Sequence, residues 1–293
     1  MNYRSLYKLG TIGVSFEAYS DMKIWGIPLW KLDPYRIRDS KESSDLSISL
    51  TISEKQMQPG KLLKKESAGF FQHIIYELPD GMIWQYERSK NHELQLRYYI
   101  SSKWDQIQLL EDHSHTDGHL AFEYLGQIIP PVMLRHCMLT FHGVLMEYEG
   151  YGIIISAPSG TGKTTHARMW RDLRRALIIN GDRAACQKVD GIWTGFGLPW
   201  SGTSGEQINR SIPIKAMVVL ERNEENRAFQ IKGMEAFLSA WANVLKPNWD
   251  TALSEKALDL LEDFLRTIPV IRLCCRPDAD SVEVLSHVLE GIR

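Results

Sequence analysis

The stretch Ser156-Ala157-Pro158-Ser159-Gly160-Thr161-Gly162-Lys163-Thr164-Thr165 sets two glycines, a lysine and several hydroxyls directly after an apolar run. Gly160 and Gly162 can adopt positive φ and bring the backbone close to an anion. Such a turn aims several N–H groups at one point. A helix beginning near Lys163 adds its N-terminal dipole. In a phosphate loop of this kind the lysine reaches the terminal phosphates of a nucleotide, and the following hydroxyl, here Thr164, sits on Mg²⁺. The expected ligands are ATP and Mg²⁺, with Ser159, Gly160, Thr161, Gly162, Lys163, Thr164 and Thr165 as the binding residues. One position departs from the pattern: Ala157 stands where the motif begins with glycine.

Phosphoryl transfer also needs a carboxylate on Mg²⁺ and one to orient the attacking hydroxyl. Asp182, in Asn180-Gly181-Asp182-Arg183, follows the apolar run 177–179. The C-terminal ends of strands are where α/β sheets hold ligands. Asp182 is the candidate for both tasks, and the sequence does not separate them. Glu206 closes the segment Gly197-Leu198-Pro199-Trp200-Ser201-Gly202-Thr203-Ser204-Gly205-Glu206 and is a candidate metal-site residue beside Thr164 and Asp182. That segment reads either as a loop that closes over phosphates or as an ordinary connection. Arg210 and Lys215 are candidates to neutralise the transferring phosphate, or plain surface charge. His113, His115 and His119 lie in polar sequence without a distant partner cluster and read as a solvated linker. His142 has no role assignable from pattern alone.

The elements that must position these residues change character along the chain. Ile12, Val14 and Phe16 alternate with small or polar residues, as do Leu46, Ile48, Leu50 and Ile52. Period two predicts strands with one buried face. Pro79-Asp80-Gly81 ahead of Met82, Trp84 and Tyr86 predicts a hairpin, and Leu94, Leu96, Tyr98 and Ile100 a further strand. The first third therefore reads as an antiparallel, β-rich unit. A helix follows, with an interruption expected at Pro130-Pro131. After it, buried strands are expected at 152–156, 177–179, 216–220 and 270–275, and a hairpin around Asp190-Gly191. Helical spacing marks 165–173, then Met234, Phe237, Leu238, Trp241, Val244 and Leu245 as far as Pro247, then 253–265 and 282–289.

The chain has 293 residues, 44% hydrophobic and 24% charged, with a net charge of −2. That size suits two cores. The balance gives no basic excess for nucleic acid. No apolar stretch reaches the ~18 residues of a membrane helix, so no membrane partner is expected. The four cysteines, Cys137, Cys186, Cys274 and Cys275, show no paired spacing. Cys274 and Cys275 read as buried thiols, which suits a cytoplasmic protein.

Phe141-His142-Gly143-Val144-Leu145, then Ser159-Gly160-Thr161-Gly162-Lys163-Thr164, then the strand ending at Asp182, resemble in that order the catalytic domain of the HPr kinase/phosphorylase family, over about 134–221. The 160–165 stretch with Asp182 is also similar to ATP-dependent phosphoenolpyruvate carboxykinase. Asn180-Gly181-Asp182-Arg183, Asp190-Gly191 and Gly197-Leu198-Pro199-Trp200-Ser201-Gly202 resemble the HPr-kinase-like proteins of peptide natural-product clusters, lasso-peptide kinases in particular. The resemblance implies an α/β P-loop kinase domain of the HPr kinase/phosphoenolpyruvate carboxykinase type at 119–293; the β-rich domain read at 1–118 precedes it and is left, by default, as a candidate for peptide or substrate recognition. It implies phosphorylation of a serine hydroxyl at the C-terminus of a precursor peptide, with ATP and Mg²⁺, and assembly into a homo-oligomer. Asp182, His142 and Lys163 become the catalytic set, His142 pairing with the acidic base. HPr kinases carry paired aspartates where this chain has Gly181-Asp182, so neither phosphorolysis of phosphoserine nor recognition of HPr is expected. A kinase of a small-molecule alcohol and a non-catalytic ATP sensor are the alternative readings. Carboxykinase activity lacks matching ligands.

Overall fold

The computed structural model describes residues 2–19, 28–37, 43–50, 60–112, 118–158 and 160–292. The chain divides into two compact units, Met1–Ile128 and Ile129–Arg293. The division runs through a helix, not ahead of it.

The first unit is built on eight strands: β1 (Asn2–Leu9), β2 (Ile12–Tyr19), β3 (Leu46–Ser49), β4 (Lys61–Ala68), β5 (Phe71–Leu78), β6 (Gly81–Arg88), β7 (Leu94–Ser101) and β8 (Gln106–Asp112). They form one sheet in the order β1-β2-β3-β8-β7-β6-β5-β4. Leu46 and Ile48 are buried while Ser47 and Ser49 are half-buried, as period two requires. The expected hairpin is present, with Leu78 opposite Gly81. Ile52 and most of the 111–118 stretch, including His113 and His115, lie outside the described residues.

The sheet is not wholly antiparallel. β3 pairs in parallel with β2 on one side and with β8 on the other. Parallel neighbours need a crossover of about a dozen residues or more, and the long stretch between Tyr19 and Leu46 supplies it. Alternation reveals which face is buried but not which strand is the neighbour.

The helix α1 (Gly118–Arg135) runs unbroken through Pro130 and Pro131, where an interruption was expected. Each proline removes one i→i−4 bond. Ile128, Ile129, Val132, Met133 and Leu134 are all buried around them. Packing of this apolar run outweighs the lost bonds, since tertiary burial supplies most helix stability.

In the second unit the strands are β9 (Met138–Tyr148), β10 (Tyr151–Ser156), β11 (Leu177–Asn180), β12 (Arg183–Val189), β13 (Ile192–Phe196), β14 (Ser211–Arg222), β15 (Arg227–Ile231) and β16 (Val270–Cys275). The helices are α2 (Lys163–Arg174), α3 (Gly233–Trp241), α4 (Thr251–Thr267) and α5 (Ala279–Glu290). The strand order is β10-β9-β12-β13-β14-β16-β15, with β11 on β9. β14 is shared. Its first residues pair with β13, and from Ile214 onward it pairs in parallel with β10. β16 lies parallel on its other side. The C-terminal ends of β10, β14 and β16 therefore point the same way. Ile153, Ile155, Val218, Ile271 and Leu273 join Ala167 and Trp170 of α2 and Val282 and Leu285 of α5 in one buried core.

The expected helix ending at Pro247 is shorter and turned over. α3 stops at Trp241, and Val244 forms a β-bridge with Phe141 instead. Met234 is 70% exposed and Leu238 56%, while Ala236 and Ala240 are buried. Large residues at helical spacing here mark the outer face, because small residues let the helix approach its neighbours closely. Cys274 and Cys275 are buried free thiols.

Candidate active site

β10 delivers the chain at Ser156 into the glycine loop, and α2 leaves it at Lys163. Gly160 has φ 76° and Gly162 φ 115°, both left-handed, and the space where a Cβ would stand is open at each. Gly162 caps α2 without any side-chain cap bond. The first-turn amides of a helix have no partner within it, and no cap side chain takes them here. Ala157 has no left-handed conformation. It is buried among Ala167, Trp170 and Val218. Nothing at that position requires glycine, and its methyl group contributes to the core. Ser159 lies outside the described residues; Thr164 is half-buried and Thr165 exposed.

The Lys163 ammonium folds back on the loop. It donates to Ala157 O at 2.8 Å and Pro158 O at 3.3 Å, and lies 3.1 Å from His142 Nε2. Three partners match its three donors. The opposite edge of the same ring, Nδ1, stands 3.5 Å from Asp182 Oδ1. Arg183 Nε stands 3.5 Å from Asp182 Oδ2. Lysine, imidazole, carboxylate and guanidinium thus form one array. Burial lowers the Lys163 pKa, and the Asp182 charge opposes that shift. Burial, then the Lys163 charge, hold His142 below its ordinary 6.5 against the pull of Asp182. A neutral ring can accept from the ammonium at Nε2 and offer Nδ1–H to the carboxylate.

Asp182 is held by a residue the sequence reading passed over. Asn180 is fully buried, and its Oδ1 accepts from the amides of Asp182 at 3.0 Å and Arg183 at 2.8 Å. Its Nδ2 donates to Leu198 O at 2.9 Å and Trp200 O at 3.0 Å. One amide side chain therefore fixes both the carboxylate turn and the following loop. Gly143 N donates to Asp182 O at 2.9 Å, joining the turn to β9 beside His142. Gly202 has φ 56°, and a Cβ there would stand 2.7 Å from Asp182 Cγ. The loop thus packs its backbone on the carboxylate, and only glycine permits that approach.

Glu206 borders the Gly181-Asp182 turn, its carbonyl accepting from Gly181 N at 3.0 Å. Its carboxylate meets Arg168 Nη2 at 3.1 Å and Arg171 Nη1 at 3.0 Å, both on α2. Among the described residues no group of three or more His, Cys, Asp or Glu is arranged to hold a metal ion. Arg210 donates to Glu147 at 2.7 Å, and Lys215 sits 5.1 Å over the Tyr151 ring. The register, Gly152 opposite Ile214 and Ser156 opposite Val219, puts both cations at the end of β10 away from the glycine loop. Neither is placed to meet phosphate on that loop.

The cation that does reach the loop is Arg222, at the last position of β14. It donates to Thr161 O at 3.1 Å and Gly160 O at 2.5 Å. The signal that selected Asp182, a charge at the end of a buried strand, applies equally to Arg222. A cleft of about 690 Å³ opens beside it, bounded by Thr161 and Gly162 of the loop, His166 of α2, and Cys275 and Arg276 beyond β16.

Among the described residues no helix is long and apolar enough to cross a membrane. No protein-family model and no curated protein matches the chain. Among solved structures, the Hpr(Ser) kinase/phosphatase from Coxiella burnetii is similar at 11% identity and a TM-score of 0.32, over 52% of this chain and 93% of that one. The superposition is loose, so the functional reading rests on the chain's own residues.

Proposed function

We propose that the chain is an ATP-dependent kinase that transfers the γ-phosphoryl group to an alcohol, a serine hydroxyl of a peptide. The single observation behind this is the array Lys163–His142–Asp182, in which one imidazole lies between the phosphate-loop lysine and a strand-end carboxylate. In-line transfer asks for that pairing, a cation for the phosphates and a carboxylate for the incoming hydroxyl. The first-turn amides of α2 and Lys163 hold the phosphates. Asp182 accepts the hydroxyl proton as the oxygen attacks the γ-phosphorus, and Lys163 offsets charge on the departing diphosphate oxygens. His142 orients Asp182 and keeps the lysine close. The Thr164 hydroxyl and Asp182 suit Mg²⁺, which takes one or two carboxylates and completes its shell with water and phosphate oxygens. When bound it neutralises phosphate charge.

The peptide acceptor, specifically the C-terminal serine of a lasso-peptide precursor, is supported by the sequence resemblance and by the first unit. Among the described residues its sheet ends at β4 without a further strand, while β1 is bridged by Arg36, and extended peptides add to an edge such as that of β4. The test is intact-mass spectrometry of a precursor peptide ending in serine, incubated with the protein, ATP and Mg²⁺. Phosphate on the terminal serine, absent with Lys163→Ala, is the expected result. ATP binding without peptide phosphorylation would sink the peptide reading and favour a small-molecule acceptor or a sensor.

A further inference from the structure

The cleft beside the glycine loop has a wall residue that the proposed chemistry does not use. His166 is 2% exposed, and among the described residues neither ring nitrogen has a hydrogen-bond partner. Buried polar atoms are nearly always paired, and an unpaired one is destabilising. The ring sits on the first turn of α2, next to residues that bound both the loop and the cleft. The opposite wall comes from Asn223 and Glu224, just past β14, and from Arg276 and Pro277, just past β16. These are the C-terminal ends of parallel strands, where open α/β sheets place ligands. Leu220 and Cys275, both buried, supply apolar surface between the walls. The cleft is the size of a small-molecule site, which spans roughly 300–1,000 Å³.

We propose that this cleft takes the nucleoside part of the phosphate ligand, and that His166 turns a ring nitrogen to meet it. This rests on reading the glycine loop as the phosphate site. Because Thr161 and Gly162 border both, a ligand with its phosphates on the loop has its remaining bulk directed either into the cleft or into solvent. Leu220 and Cys275 suit the face of a heterocycle. Asn223, Glu224 and Arg276 offer donors and acceptors to its edge and to ribose hydroxyls. Arg222, held on the loop carbonyls, marks the boundary between the two subsites.

The experiment compares binding of MgATP and of magnesium tripolyphosphate, which has no nucleoside, to the full chain by isothermal titration. The wild-type protein is expected to prefer ATP by about tenfold or more, the scale of one or two hydrogen bonds with apolar contact. His166→Leu should remove most of that preference and leave tripolyphosphate binding within about twofold. Glu224→Trp fills the cleft from its exposed rim, and it decides the matter if His166→Leu fails to fold. Equal wild-type affinity for the two ligands, or an undiminished preference for ATP in Glu224→Trp, overturns the inference and leaves the phosphate site standing. Failure of the wild-type protein to bind either ligand overturns both.

Discussion

Ser204 fills the space a side chain on Gly181 would need, since its Cβ would stand 2.6 Å from a Cβ added there. The position at which the sequence resemblance would set a second aspartate is therefore closed by the loop that follows. Gly181→Asp is expected to destabilise the protein by about 1–3 kcal/mol, the usual range for overpacking. Ser204→Gly should relieve part of that loss in the double variant. Urea unfolding of the two single variants and the pair gives the coupling directly, and strict additivity would count against the contact.

Asn180→Ala removes a fully buried side chain that serves four backbone groups. Leaving buried donors and acceptors unpaired costs about 1–3 kcal/mol each before relaxation. A large fall in unfolding midpoint is expected. Asn180→Asp should also be destabilising, because a carboxylate cannot donate to Leu198 O and Trp200 O. A neutral effect of both changes would show that the turn is held by other means.

Asp182→Asn keeps the shape of the turn while removing the charge. Turnover should fall by roughly 10²–10⁴-fold, the range for loss of a general base, and the Mg²⁺ concentration for half-maximal activity should rise. Retained turnover would exclude Asp182 from both roles. The fold should survive, because the turn is pinned through its backbone amides.

Glu206→Gln separates a clamp from a metal ligand. Paired with Arg168 and Arg171 at a partly exposed site, the carboxylate should contribute about 1 kcal/mol or less to stability. Cycles with Arg168→Gln would show the coupling, and the Mg²⁺ requirement should not move. A raised Mg²⁺ requirement would return Glu206 to the metal site.

Burial pushes His73 and His166 down to about 4 and lowers His142 as well. Each binds its proton more readily in the unfolded chain, at the ordinary 6.5. The stability these rings contribute is complete above that value and is lost as pH falls toward 4. His73 and His166 each add up to about 1.4 kcal/mol per pH unit across that window. Denaturation midpoints at pH 7.5 and 4.5 should differ accordingly, and His73→Leu or His166→Leu should shrink the difference. A difference of the same size in both variants would show that other groups cause it.

Much of this site was legible in the sequence. Strand, glycine turn and helix around Lys163 are visible from residue type and spacing, and so is the carboxylate after 177–179. Leu177 itself is 43% exposed, so an apolar run can begin before its residues are covered. His142 is different. Its place between Lys163 and Asp182 depends on β9 running beside both β10 and β12, which no local pattern encodes. Asn180 and Arg222 were missed because their partners are backbone carbonyls and amides, invisible to any reading of side-chain types. Met234 and Leu238 fall at helical spacing yet face outward, because period 3.6 defines a stripe but not its direction. The neighbouring alanines carried the answer.

The shared strand β14 has a consequence for how the molecule opens. Its first half is bonded to β13, and its second half lies between β10 and β16. The amides of 217–219 therefore have strands on both sides and no free edge. Releasing the glycine loop at one end leaves them closed, and so does fraying the hairpin at the other. Their hydrogens should exchange with deuterium only when the whole unit unfolds, at the slowest rate in the chain. Amides of the 202–206 loop should exchange far sooner, and the contrast would map which part of the site moves and which part is bedrock.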